Sequence, residues 1–152
     1  MAAVLVLNGP NLNLLGTREP DLYGADTLAD VGAACRSVGA ELGVDVELAQ
    51  SNHEGELVDR LQHAGAEQAA GRLLGVVLNP GAYGHTSIAL RDAIAGTGLR
   101  VVEVHVSNVY RREEFRHHSH VSAVAAGVLV GLGPVGYPLA VRALVALADR
   151  TR

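Results

Sequence analysis

The stretch LLGVVLNPGAYGHTSIALRDAIAGTGLRVVEVHV, residues 73–106, decides the fold. Leu73 to Leu78 is continuously apolar and too short for a helix, which is the pattern of a strand buried on both faces. A turn-rich loop, Asn79 to Thr86, leads into a short helix over Ser87–Ala95, stopped by Gly96 and Gly98. Val101 to Val106, VVEVHV, reads as another strand, so the segment reads strand, helix, strand. Two strands joined by a helical crossover pair in parallel.

The same alternation extends in both directions. Ala3–Leu7 reads as a buried strand, followed by a long loop, Asn8–Gly24, with Gly9-Pro10, Gly16 and Pro20 as breakers. Thr27 with Asp30 forms a capping box that opens a helix to about Leu42, ended by Gly43. Val44–Ala49 is the next strand, and Ser51 with Glu54 has the pattern of a second capping box, for a helix to about Ala66. Ala125–Leu132 reads as the fifth strand, and Pro138–Asp149 as the closing helix. Five strands alternating with helices predict a three-layer α/β domain spanning 1–152, with a five-stranded parallel sheet in the flavodoxin-like order 2-1-3-4-5. Ligands of such sheets bind beyond the carboxyl ends of the strands, where the strand order reverses. The loops after strands one, three and four are therefore expected to meet.

Composition closes several alternatives. With 49% hydrophobic and 18% charged residues the chain of 152 is a folded globular one rather than a disordered one. No apolar run reaches the roughly 18 residues of a membrane span, and Met1–Leu7 has neither the basic region nor the cleavage site of a signal peptide. Cys35 is the single cysteine, which suits the cytoplasm and rules out an internal disulfide or a multi-cysteine metal site. A net charge of -4 argues against nucleic acid as partner. All 12 basic residues are arginine. Without a lysine there is no Schiff base, no pyridoxal phosphate anchor and no Walker-type phosphate lysine.

The three loops carry the reactive side chains. In the first, Asn8, Asn11 and Asn13 serve either to bond the loop's own backbone or to bond a ligand, and 17 residues without regular structure favour a functional loop. Tyr23 is either a packing ring or a base. A phenol titrates near pKa ~10 and becomes a base at neutral pH only beside a cation such as the Arg18 guanidinium, which keeps its own proton. In the second loop, Thr86-Ser87 opens a helix whose free N–H groups would attract an anionic group. His85 beside it either caps that turn or bonds a substrate hydroxyl, and Asp92 reads as a solvated carboxylate on the helix face. In the third, Glu103 and His105 stand two apart on one strand and so share a face. There the carboxylate can orient the imidazole and hold it protonated, as a general acid requires. Val106 and Ser107 offer donors for a carboxylate, with Arg112 and Arg116 nearby. His117, His118 and His120 match no common zinc spacing, and no metal is expected.

Together these loops resemble the type II 3-dehydroquinate dehydratases of the shikimate pathway. The resemblance runs through Asn8–Gly24, Gln50-Ser51-Asn52-His53-Glu54-Gly55, Asn79–Ala93, Glu103–Ser119 and Gly131 to Tyr137, almost the whole chain. It implies a cofactor-free anti elimination of water from 3-dehydroquinate through an enolate. Tyr23 would be the base with Arg18 depressing its pKa, Asn11 would hold a water on the enolate oxygen, and His105, oriented by Glu103, would be the acid. Asn79, His85 and Arg116 would bind the substrate hydroxyls, Val106 and Ser107 its carboxylate, and Asp92 would reach a neighbouring subunit's site in trimers grouped into dodecamers. Two positions depart from the family pattern. Gly81 stands where alanine is common, and His120 where tyrosine is common. Neither matches a catalytic position.

Other functions of the same fold fit less well. A flavin or nucleotide module would want a Gly-rich or hydroxyl-rich first loop and aromatic stacking partners, but the chain has no Trp and one Phe. A phospho-accepting receiver would need acids after strand one and a lysine after strand five. An inactive scaffolding subunit is disfavoured because every matched reactive residue is present.

Overall fold

Apolar runs become the sheet, and their burial grades outward from its centre. In the computed structural model, which describes residues 2–17, 21 and 25–151, the strands are β1 (Ala3–Asn8), β2 (Asp45–Gln50), β3 (Leu73–Asn79), β4 (Val101–His105) and β5 (Gly127–Val130). Arg18 and Tyr23 lie outside the described residues. All strand pairs are parallel in the order β2-β1-β3-β4-β5, the flavodoxin-like order expected. β1, β3 and β4 are buried at every position, whereas the edge strands β2 and β5 are partly open. That is why β1 and β3 read as apolar runs, while β4 buries Glu103 and His105 among its valines.

Among the described residues, two helices cover each face. α1 (Leu28–Leu42) and α4 (Gly136–Arg150) pack on one side, around Val6, Val77, Val104 and Leu144. α2 (Glu54–Ala69) and α3 (Ile88–Thr97) pack on the other, around Leu7, Leu57, Leu78 and Ile94. No helix among the described residues is long and apolar enough to cross a membrane.

Local signals set most of the boundaries. The Thr27–Asp30 capping box forms as expected, and Gly43 ends α1 with φ 71°. The second box does not form. α2 starts after His53 without a side-chain cap, because the Ser51 hydroxyl donates to Glu56 and accepts from the His53 N–H instead. α4 begins at Gly136, two residues before the expected Pro138, since a short 3-10 turn over Gly133–Val135 feeds directly into it. β4 stops at His105 rather than Val106, and β5 spans only Gly127–Val130, because their pairing ends at His105 opposite Val130. The first loop contains a 3-10 turn, Leu12–Leu14, and the third contains two, Val109–Arg111 and Glu114–Arg116.

Register aligns the functional ends. Asn8 stands opposite Gln50 on one side and Asn79 on the other, so three amide side chains end neighbouring strands. Just beyond, the Gly9 N–H donates to the Asn79 carbonyl at 2.8 Å. A Cβ at Gly9 would lie 2.4 Å from the Pro80 carbonyl oxygen, and that oxygen is backbone and cannot swing away. Gly9→Ala is therefore expected to cost about 1–3 kcal/mol by overpacking. A urea unfolding midpoint that falls at unchanged slope would show it, and an unchanged midpoint would mean that the two turns do not touch.

Candidate active site

The loops after β1, β3 and β4 meet, as the topology requires, around a cleft of about 270 Å³. Asn11, Asn79, His85, His105, Val106, Ser107, Arg112 and Arg116 all line it, with Leu12, Leu15 and Val109 as apolar wall. Among the described residues the lining holds two guanidinium groups and no carboxylate. Such a cleft favours a small anion.

His105 and Glu103 form its most constrained pair. Glu103 has no solvent exposure and His105 only 8%, and Nε2 of His105 donates to Oε2 of Glu103. The same oxygen accepts from the Ser119 hydroxyl at 2.7 Å, and Oε1 accepts from Ser122 at 2.6 Å. Burial pushes the Glu103 pKa up, but the hydrogen bonds from His105, Ser122 and Ser119 and the imidazole charge outweigh it. The carboxyl is held below its ordinary value, so it is an anion that only accepts. Nε2 must then carry hydrogen, which leaves Nδ1 as the nitrogen of His105 that exchanges a proton.

His85 stands against it, the two rings stacked 6.2 Å apart and 22° from parallel. Its Nδ1–H donates to the His118 carbonyl at 2.7 Å. Burial lowers its pKa most, and the nearby His105 and Arg116 add to this. A neutral ring with Nδ1 protonated presents the Nε2 lone pair as an acceptor.

A buried chain of amides and phenol ties the walls together. The Tyr137 hydroxyl, from α4, donates to Asn8 at 2.6 Å and accepts from Asn79 Nδ2 at 2.8 Å. Asn79 Oδ1 accepts the Gly81 N–H at 3.1 Å, so Asn79 keeps only one amide hydrogen for a ligand. Burial drives the Tyr137 hydroxyl far above the usual phenol range. With no exposure it is a fixed donor and not a base.

A second, outer network shapes the first loop. Asn11 has φ 67°, the only positive φ outside glycine among the described residues. Its N–H donates to Asn52 Oδ1 at 3.0 Å, Gln50 donates to Gly9 and to Asn52, and the Tyr83 hydroxyl donates to the Asn52 carbonyl at 2.7 Å. A left-handed asparagine at a cleft is a typical place for function to hold backbone strain.

The remaining expected residues divide. Ser107 accepts from Arg112 at 3.3 Å. Arg116 bonds Glu113 through Nε and lies over the Phe115 ring, so one edge of its fork is already engaged. Asp92 is exposed on α3 and does not line this cleft. The Thr86 and Ser87 N–H groups are not free for an anion. Both donate to the Tyr83 carbonyl, and the Ser87 hydroxyl caps Leu90. No cluster of three metal-ligating side chains occurs among the described residues. The sequence reading missed Tyr137 as a tie, Asn52 and Gln50 as props and the two serines on Glu103. All of them but Ser122 fell inside matched segments, yet only spatial contact reveals their partners.

Residues 2–145 match the family described as Dehydroquinase class II. A 3-dehydroquinate dehydratase of Variovorax paradoxus is 63% identical over 95% of this chain and 99% of its own length. A catabolic 3-dehydroquinase of Aspergillus terreus is 57% identical over 91% of this chain and 88% of its own. The crystal structure of a type II dehydroquinase from Propionibacterium acnes superposes with a TM-score of 0.88 at 43% identity, over 96% of this chain and 97% of the other.

Tyr137→Phe should leave buried amide groups of Asn8 and Asn79 unpaired, at about 1–3 kcal/mol. The expected result is a lower urea midpoint. An unaltered midpoint would show that the tie is not needed.

Proposed function

The chain belongs to the dehydroquinase class II family, whose activity is that of a hydro-lyase on 3-dehydroquinate in the shikimate pathway, and we propose how its cleft performs that reaction. Water leaves by anti elimination through an enolate, giving 3-dehydroshikimate. Tyr23 removes the proton beside the ketone, its phenolate favoured by Arg18. Asn11 holds a water that stabilises the enolate oxygen. His105, held by Glu103, gives the Nδ1 proton to the departing hydroxyl, which leaves as water. One proton is taken and one is given, so the enzyme resets by exchanging both with solvent.

Asn79, His85 and Arg116 bind the substrate hydroxyls, with His85 accepting through Nε2. The Val106 and Ser107 N–H groups and the Ser107 hydroxyl take the substrate carboxylate. No metal or cofactor enters these steps. Asp92 completes the site of an adjoining protomer in a trimer, the trimers grouping into dodecamers, and the whole chain acts as one cytoplasmic catalytic domain. The observation that carries the reading is the buried Glu103–His105 pair at the wall of a cleft that two arginines make cationic.

Addition of 3-dehydroquinate should raise the ultraviolet band of a conjugated enone. Tyr23→Phe and His105→Ala should each lower turnover by at least ~100-fold with the fold retained. Near-normal turnover of Tyr23→Phe would remove the proposed base. Asp92→Ala should weaken substrate binding in the assembled enzyme, and a fully active monomer by sedimentation would contradict its role across the interface.

A further inference from the structure

Three hydrogens converge on the carboxylate of Glu103, and two of them come from residues with no part in the steps above. We propose that Ser119 and Ser122 are positioning residues for the dehydration, their hydroxyls fixing the Glu103 carboxylate so that it holds His105 against the cleft. The proposal rests on the reading of His105 as proton donor.

Neither serine lines the cleft. Both line a second cavity, of about 290 Å³, that also touches Glu103 and His105. They therefore act through Glu103 and not on substrate. The division of oxygens matters. His105 and Ser119 share Oε2, and among the described residues Ser122 alone engages Oε1. One serine bond on each oxygen opposes rotation of the carboxylate, which would swing Oε2 away from the imidazole. Ser119 Oγ also accepts the Val121 N–H at 3.2 Å, which orients its own hydrogen towards Glu103.

The surroundings supply no substitute. The strand neighbours of Glu103 are Leu78 and Val128, which bring no charge. The titratable and charged groups facing it are His105 on its own strand, His85 from the second loop, and Tyr110, Arg116, His117 and His118 around the second cavity. Of these only His105 bonds the carboxylate among the described residues. Loss of a hydroxyl leaves a buried anion short of a donor, and protonation then relieves it at a higher pH.

The test measures kcat and KM against pH for Ser122→Ala, the double variant Ser119→Ala/Ser122→Ala, and Ser122→Thr, with His105→Ala in parallel. Turnover of the double variant should fall roughly ten-fold or more, as loss of hydrogen bonds to a charged group does, with KM little changed. The direction of the pH effect is fixed. Glu103 must be ionised to accept from Nε2, so activity is lost as pH falls through its pKa, and removing donors moves the acid limb upward, by about one pH unit. Ser122→Thr keeps the hydroxyl and should restore both quantities. An acid limb that stays put in the folded double variant overturns the proposal, even if turnover drops. Should the double variant fail to fold, Ser122→Ala against Ser122→Thr decides by the same limb. If His105→Ala retains turnover, the reading of the acid fails. If it loses turnover while the serine variants match the parent, the proposal alone fails.

Discussion

A carboxylate with no exposed surface organises this site. Glu103 lies within a fully buried parallel strand, where an unpaired ion costs several kcal/mol. Three donors offset that cost, and each lies on a different part of the chain: the same strand, residue 119 and residue 122. Satisfying one charge therefore ties the end of the third loop, and the turn that follows it, back to β4. A buried ion pair is weak evidence for stability, since apolar residues would fit a parallel strand at least as well. Its presence makes sense as the support of the imidazole proposed as the acid.

The second constraint is neutral. Asn8, Tyr137 and Asn79 join the ends of β1 and β3 to α4 by two short hydrogen bonds. Because the three groups are buried, they hold the cleft's floor without competing for its proton chemistry. The Tyr137 hydroxyl, kept protonated by burial, acts here as a hinge pin. The outer amides of Gln50 and Asn52 play the same part for the first loop, in contact with solvent and so with weaker hold.

The sequence made legible what local physics decides. Apolar runs marked β1 and β3 because both faces of each are covered, and Thr27 with Asp30 marked α1 because the capping box closes within four residues. The same pattern failed at Ser51, where a second acid, Glu56, lies within reach and takes the hydroxyl. Spacing two apart paired Glu103 with His105, since strand geometry alone puts them on one face. It could not find Tyr137, whose partners lie 129 and 58 residues away, nor the serines 16 and 19 residues from Glu103. Arg18 and Tyr23 were assigned by resemblance, with the chemistry of a phenol beside a guanidinium as the physical reason.

Two histidines 6.2 Å apart end with different work because of what each is anchored to. Either anchor, a carboxylate or a carbonyl, can only accept, so each ring has one nitrogen that keeps its hydrogen throughout. For His105 that is Nε2, against Glu103, and for His85 it is Nδ1, against the His118 carbonyl. The opposite nitrogen of each ring is then the only one that can exchange a proton. Burial and the cations beside it keep His85 towards the neutral form, so its free nitrogen offers a lone pair. His105 is the ring tied to an anion, and a proton lent from its Nδ1 leaves the bond to Glu103 intact. The anchor can thus stay fixed while a proton moves, which suits the role proposed for His105 at the wall of the cleft.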